Sequence, residues 1–270
     1  MLLEVAPCFE EVTEYSLRWS QRLYEDLDEK HVSCLREDAV RDTFKDYIKE
    51  YDPELVTFYN HGSENALIGN DETPLLDSRN ADLLNGREMF TMCCLAAKKL
   101  GPEAYRKGCK AWWGYTKVFS FVTTDEAIFS ELANMGLVLR RREHLSWEDC
   151  VSRVKEAYNV EIEKGGNPWT IISLINDRDA LVCWTNANQP PSECAFRNMG
   201  IKIFGTAGQK LSKSAVYSII VFYAAWGYGV YSVYQLKGSN VVLEGIYTAL
   251  ALMFLSPIII LKEYLKRLKN

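Results

Sequence analysis

The sequence predicts an α/β domain built on a doubly wound, mostly parallel sheet, followed by two transmembrane helices. Three observations predict it. From Leu2 to Asn60, short apolar runs alternate with amphipathic stretches in the order β-α-β-α-β, the signature of parallel strands joined by crossover helices. Two runs, Leu55-Val-Thr-Phe-Tyr-Asn60 and Glu88-Met-Phe-Thr-Met-Cys93, read as buried strands. Beyond Lys213, Ser214 to Leu236 holds no charged residue and Asn240 to Leu261 holds only Glu244.

Taken in order, Leu2 to Val5 is a first strand. Phe9 to Lys30 is an amphipathic helix with apolar positions at Val12, Tyr15, Leu17, Trp19 and Leu23. His31 to Leu35 is a short strand, and Asp38 to Tyr51 carries Val40, Phe44, Tyr47 and Ile48 at helical spacing until Asp52-Pro53 stops it. The strand from Leu55 follows and delivers His61-Gly62. The link to the next strand contains a loop with a small hairpin, and then a helix-like piece, Asp77 to Leu84, long enough with its flanks for a crossover between parallel strands. The strand from Glu88 delivers Cys94. A helix to about Leu100 is expected next, then a strand from Ala111 to Tyr115. Helices are expected from Asp125 to Arg141, capped by Thr124, and from Glu148 to Tyr158, where Ser146 and Asp149 form a capping pair. Asn167-Pro168 opens another helix through Ile171, Ile172, Leu174 and Ile175, and Ala180 to Trp184 is a last strand. The α/β domain is therefore assigned residues 1–199, with a linker over 200–213.

The two apolar runs, 214–236 and 240–261, have about 22 residues each, or ~33 Å as helix, enough for a ~30 Å hydrocarbon core. Lys237 to Asn240 allows only a tight hairpin between them. Lys202, Lys210 and Lys213 precede the first span and Lys262, Lys266, Arg267 and Lys269 follow the second, so the positive-inside rule puts both flanks and both termini in the cytoplasm, on a multi-pass anchor in the cell membrane. Glu244 sits near the far boundary, where it can snorkel.

The formal charge of -5 argues against a nucleic-acid partner, since no basic face dominates and Arg140-Arg-Arg142 reads as a helix end complementing its dipole. Eight cysteines without close paired spacing suit reduced thiols in a cytosol. With no C-x-x-C and three histidines, no metal site is expected. Neither a P-loop nor a G-x-G-x-x-G pattern occurs, so no nucleotide cofactor is expected. Met1 to Pro7 lacks the basic and long apolar regions of a secretory signal.

In open α/β sheets the functional crevice lies beyond the carboxyl ends of the strands. His61 and Cys94 would emerge there side by side, a base and a nucleophile, although for these two residue types alone a buried inert thiol and a structural histidine are the commoner case. The surrounding residues add to this: Leu95-Ala-Ala-Lys-Lys-Leu-Gly101 after the cysteine, then Lys107-Gly-Cys-Lys-Ala-Trp-Trp-Gly-Tyr115 and Phe119-Ser-Phe121. In this order they resemble the caspase-like cysteine peptidases, the group that includes caspases, gingipains and CHAT domains. The similarity runs from about Thr13–Trp19 to Asn186. It departs from caspases proper in the shorter interval between His61 and Cys94 and in Met92-Cys93-Cys94-Leu95, where caspases carry Gln-Ala-Cys-x-Gly.

The resemblance implies a caspase-like fold, a cysteine endopeptidase acting on peptide or protein substrates, Cys94 as nucleophile with Cys93 as the alternative, His61 as its partner, and an oxyanion hole from the N–H groups of Gly62 and Cys94. The dipole of a helix starting at Leu95 would favour the thiolate. Asp71, Glu72 and Asp77 lie in the crevice loop and could select a basic side chain, or serve as solvated loop and cap residues. Membrane lipid is the other expected partner, and self-association is compatible with the sequence. The resemblance also points toward stress, defence or cell-death signalling. A rival expectation keeps the fold but makes it a catalytically silent sensor or scaffold whose transmembrane hairpin is the effector.

Overall fold

A computed structural model of the chain describes residues 1–191. Its elements are β1 (Leu2–Ala6), α1 (Glu11–Leu27), β2 (His31–Leu35), α2 (Arg41–Tyr51), β3 (Leu55–Tyr59), β4 (Ala66–Ile68), β5 (Pro74–Asp77), β6 (Glu88–Met92), α3 (Leu100–Arg106), β7 (Ala111–Tyr115), α4 (Glu126–Arg142), α5 (Trp147–Glu163), α6 (Pro168–Ala180) and β8 (Leu181–Trp184). Six strands form one sheet in the order β2-β1-β3-β6-β7-β8, and β4 and β5 form a separate hairpin. All neighbours in the main sheet are parallel except β7 and β8. The fold is thus mixed α/β with a mostly parallel central sheet.

The apolar strand runs exist because both faces of the sheet are covered. Alternation with period two sends successive side chains to opposite cores. Leu2, Leu55, Tyr59, Phe90, Met92, Trp113 and Tyr115 join the core under α1, α4, α5 and α6. Leu3, Val5, Val56, Phe58, Met89 and Trp112 join the core under α2, α3 and the hairpin. Ser146 and Asn167 cap α5 and α6 with their side chains, as expected.

Three local expectations are corrected. The piece Asp77 to Leu84 is not a helix: Asp77 ends β5, and only a single 3₁₀ turn, Ala81–Leu84, follows. Thr124 does not cap α4, because Thr123–Asp125 form a 3₁₀ turn and Asp125 occupies the cap position, its side chain accepting from Thr170 Oγ1 and making no capping bond. No helix begins at Leu95. That residue has φ +61°, in the left-handed region, so the chain turns sharply after Cys94 and α3 starts only at Leu100.

The expected spans 214–236 and 240–261, the linker 200–213 and the end of the domain at 199 lie outside the described residues. Among the described residues no helix is long and apolar enough to cross a membrane.

Candidate active site

The chain passes from β2 across β1 to β3, with α1 and α2 on opposite faces, so the sheet has its switch point between β1 and β3. A crevice opens at the carboxyl ends of such a pair. The segment after β1 leads through Phe9 to Glu10, the segment after β3 carries His61 and Gly62, and the segment after neighbouring β6 carries Cys93 and Cys94.

Glu10 is the residue that sequence reasoning missed. Its backbone is fixed at the start of α1, where Thr13 Oγ1 accepts from Glu10 N–H at 3.1 Å and donates to the Glu10 carbonyl at 2.8 Å. Its carboxylate pairs with His61 Nε2. With Nε2–H given to Glu10, a neutral imidazole keeps its lone pair on Nδ1, the nitrogen left to accept a proton. Phe9 flanks the ring with a centroid distance of 5.8 Å. Glu10 and His61 stand 51 positions apart. No spacing rule links them, and only the β1–β3 adjacency brings them together.

Gly62 lies against the cysteine pair. A Cβ at this position would stand 2.7 Å from Cys93 Sγ and 2.8 Å from the Cys94 carbonyl oxygen, so only glycine allows the two strand ends to approach this closely. The contact is laced further along. The Glu64 carboxylate pairs with Lys98 and Lys99, which hold it below its ordinary pKa, and its carbonyl accepts from Leu100 N–H at 2.8 Å. Gly62 faces Leu67 in an antiparallel bridge whose hydrogen bonds are made by Ser63 and Ile68. Among the described residues, neither Gly62 N–H nor Cys94 N–H is donated to an acceptor.

The cysteines part to opposite sides. Cys93 is buried in the core beneath the hairpin, and burial drives its pKa far up. Cys94 is half-buried at the edge of the other core. Its Sγ donates to the Phe119 carbonyl at 3.8 Å, and burial also raises its pKa, with the charge of Asp177 adding to the rise. No hydrogen bond joins His61 to Cys94 among the described residues. The helix dipole expected to favour the thiolate is absent, since Leu95 begins a turn.

The three candidate acids differ. Asp77 is buried and bound by Arg41 at 2.7 Å and Arg79 at 2.6 Å, and these guanidinium groups hold its carboxyl well below the usual range. It has no free charge for a substrate cation. Asp71 caps its own turn, accepting from Thr73 N–H at 3.1 Å and from Thr73 Oγ1 at 2.8 Å. Glu72 is exposed in the same turn at φ +58°. That turn is pinned to the carboxyl edge of the sheet, because Asn70 Oδ1 accepts from Cys8 N–H at 2.8 Å and Asn70 N–H donates to the Ala39 carbonyl.

No family model and no curated protein matches the chain. Among solved structures, it is similar in chain course to a complex of Porphyromonas gingivalis RgpB pro- and mature domains, with 12% identity, 68% of this chain and 47% of that chain covered, and a TM-score of 0.46. The Arg-specific cysteine proteinase gingipain R (RgpB) gives 13% identity, 69% and 46% coverage, and a TM-score of 0.48. The chain spans just under half the length of either. At these values the likeness is one of chain course and does not reach activity or site residues.

Proposed function

We propose that this chain is a cysteine endopeptidase in which Cys94 is the nucleophile and His61 its proton carrier, anchored to the cell membrane by two spans, 214–236 and 240–261, with the α/β domain in the cytoplasm. One observation carries the reading: a histidine and a cysteine leave adjacent parallel strands at the same edge, with Gly62 touching the cysteine pair. Glu10 orients the imidazole. The thiolate of Cys94 attacks the scissile carbonyl carbon, the free N–H groups of Gly62 and Cys94 hold the oxyanion, and imidazolium His61 gives its proton to the departing amine as the C–N bond breaks. Water, deprotonated by His61, then cleaves the thioester and restores the thiol.

The test is labelling of the detergent-solubilised protein with a thiol-directed peptide probe. Wild type and Cys93→Ala label, while Cys94→Ala and His61→Ala lose labelling by about 10²-fold or more. Equal labelling of Cys94→Ala and wild type would sink the assignment. The exposed acids Asp71 and Glu72 are the remaining candidates for choosing a basic side chain in a peptide or protein substrate.

A second reading is favoured by the raised pKa of Cys94 and its contact with Phe119 rather than His61. In it the domain is a silent sensor or scaffold, and the membrane hairpin is the effector in a stress, defence or cell-death response. Toxicity on expression that survives Cys94→Ala but vanishes on deletion after Lys213 would select this reading.

A further inference from the structure

The segment following β7 passes over Cys94, and α6 holds it there. Three consecutive residues of this segment are engaged. Asn176 Nδ2 donates to the Val118 carbonyl at 2.7 Å, Cys94 Sγ donates to the Phe119 carbonyl at 3.8 Å, and Ser120 N–H donates to Asp177 Oδ1 at 3.1 Å. The base of the segment is tied to the end of the same helix, because Thr116 N–H donates to the Ala180 carbonyl at 2.9 Å. Asp177 is wholly buried, and its second oxygen, Oδ2, has no hydrogen-bond partner. A carboxylate placed only to hold a loop would normally have both oxygens satisfied, because an orphaned buried acceptor is costly.

Among the described residues, no cation answers this acid. The titratable groups facing it are Tyr115 from β7, Tyr158 from α5 and Cys94 from the segment after β6, all uncharged in their protonated forms. On its own helix, Asn176 donates to it, and the guanidinium next in sequence, Arg178, is taken up by Asp179 and Asn159. The surroundings suit a neutral acid, and burial pushes its pKa up to about 8.

We propose that Asp177 is a positioning residue for Cys94: by holding Ser120 it clasps the Phe119 carbonyl against the thiol. This rests on the reading of Cys94 as the nucleophile. The clasp keeps Cys94 protonated and covered until the segment lifts, and the acid and thiol together tolerate one negative charge more readily than two. As the pH rises, Asp177 ionises first and delays the thiol. Asparagine at 177 keeps an acceptor for Ser120 N–H and never ionises, whereas alanine removes the clasp.

The experiment is the rate of iodoacetamide alkylation across pH 6–10, read at each cysteine by fragment mass spectrometry on the full chain in detergent. This readout does not depend on peptidase activity, so its failure is separate from failure of the peptidase reading. Asp177→Ala is expected to alkylate faster at Cys94 at pH 7, with Cys93 and Cys109 unchanged. Asp177→Asn is expected to match wild type near pH 7 but to alkylate Cys94 several-fold faster above pH 8, because the uncharged amide no longer opposes formation of the thiolate. An Asp177→Asn profile superimposable on wild type overturns the proposal. So does a rise in Asp177→Ala shared by buried Cys93 and Cys109, which marks general loosening.

Discussion

At the scale of single residues, the site depends on what glycine and cysteine omit. Gly62 needs no unusual backbone angle. Its role is absence of a Cβ, since a methyl group would strike both the Sγ of buried Cys93 and the backbone carbonyl of Cys94, just past the end of β6. Forcing atoms into such a contact typically costs about 1–3 kcal/mol. Gly62→Ala is therefore expected to lower the unfolding free energy by that amount and to separate His61 from Cys94, with loss of probe labelling. A variant with wild-type stability and labelling would show that the strand ends do not need this approach. The two cysteines, adjacent in sequence just past β6, turn to different cores, which leaves Cys94 as the one near the crevice.

At the scale of elements, β7 is the strand against which both helical layers are fitted. Trp112 and Trp113 point to opposite faces, and each meets a glycine. A Cβ at Gly101 of α3 would stand 2.7 Å from Trp112 Cδ1, and one at Gly136 of α4 would stand 2.4 Å from Trp113 Cζ2. Trp113 cannot yield, being packed between Phe90 and Trp147 at centroid distances of 5.4 and 5.6 Å. Gly136→Ala gains about 1 kcal/mol of helix propensity but incurs an overpacking cost of about 1–3 kcal/mol, so a net loss on the order of 1 kcal/mol is expected in denaturant unfolding. A stabilised variant would show that α4 shifts freely on the sheet. Strands that are apolar on both faces, and helices with capping residues such as Ser146 and Asn167, were legible in the sequence. What was not legible depended on tertiary contacts. Leu95 is held in a left-handed turn where its letters suggest helix, and its N–H bonds to the Lys117 carbonyl across the sheet edge. In α6 the conspicuous Ile172 is exposed, while Thr170, Leu174 and Asp177 form the buried stripe. An acid at helical spacing from Leu174 was the available signal for Asp177. Glu10 offered none.

At the scale of the whole molecule, two aspartates pull stability in opposite directions with pH. Asp77 is ionised and bound by Arg41 and Arg79, with its pKa lowered. Its contribution is present above the ordinary aspartate value near 4 and is lost as the pH falls below it. Asp177 is buried without a cation, and its pKa is raised to about 8. The folded state keeps a proton that the unfolded chain gives up above about pH 4, so stability falls as the pH rises from there to about 8. The slope cannot exceed about 1.4 kcal/mol per pH unit, the value for one proton. Above about pH 8.5 the buried thiols Cys34, Cys109 and Cys150, raised by burial to about 12, extend the loss into alkali. The described domain is thus expected to be most stable in mildly acid solution, near where Asp77 is already charged and Asp177 still neutral. Chemical denaturation of the full chain in detergent between pH 4 and 9, followed by near-UV signals, checks this. Asp177→Asn should flatten the decline between pH 5 and 8 while leaving the acid limb in place, and Asp77→Asn should weaken the acid limb while leaving the decline. A wild-type midpoint that rises from pH 5 to 8, or an Asp177→Asn slope equal to wild type, would mean that Asp177 is charged in the folded protein, and the uncharged surroundings of that acid would then require a different explanation.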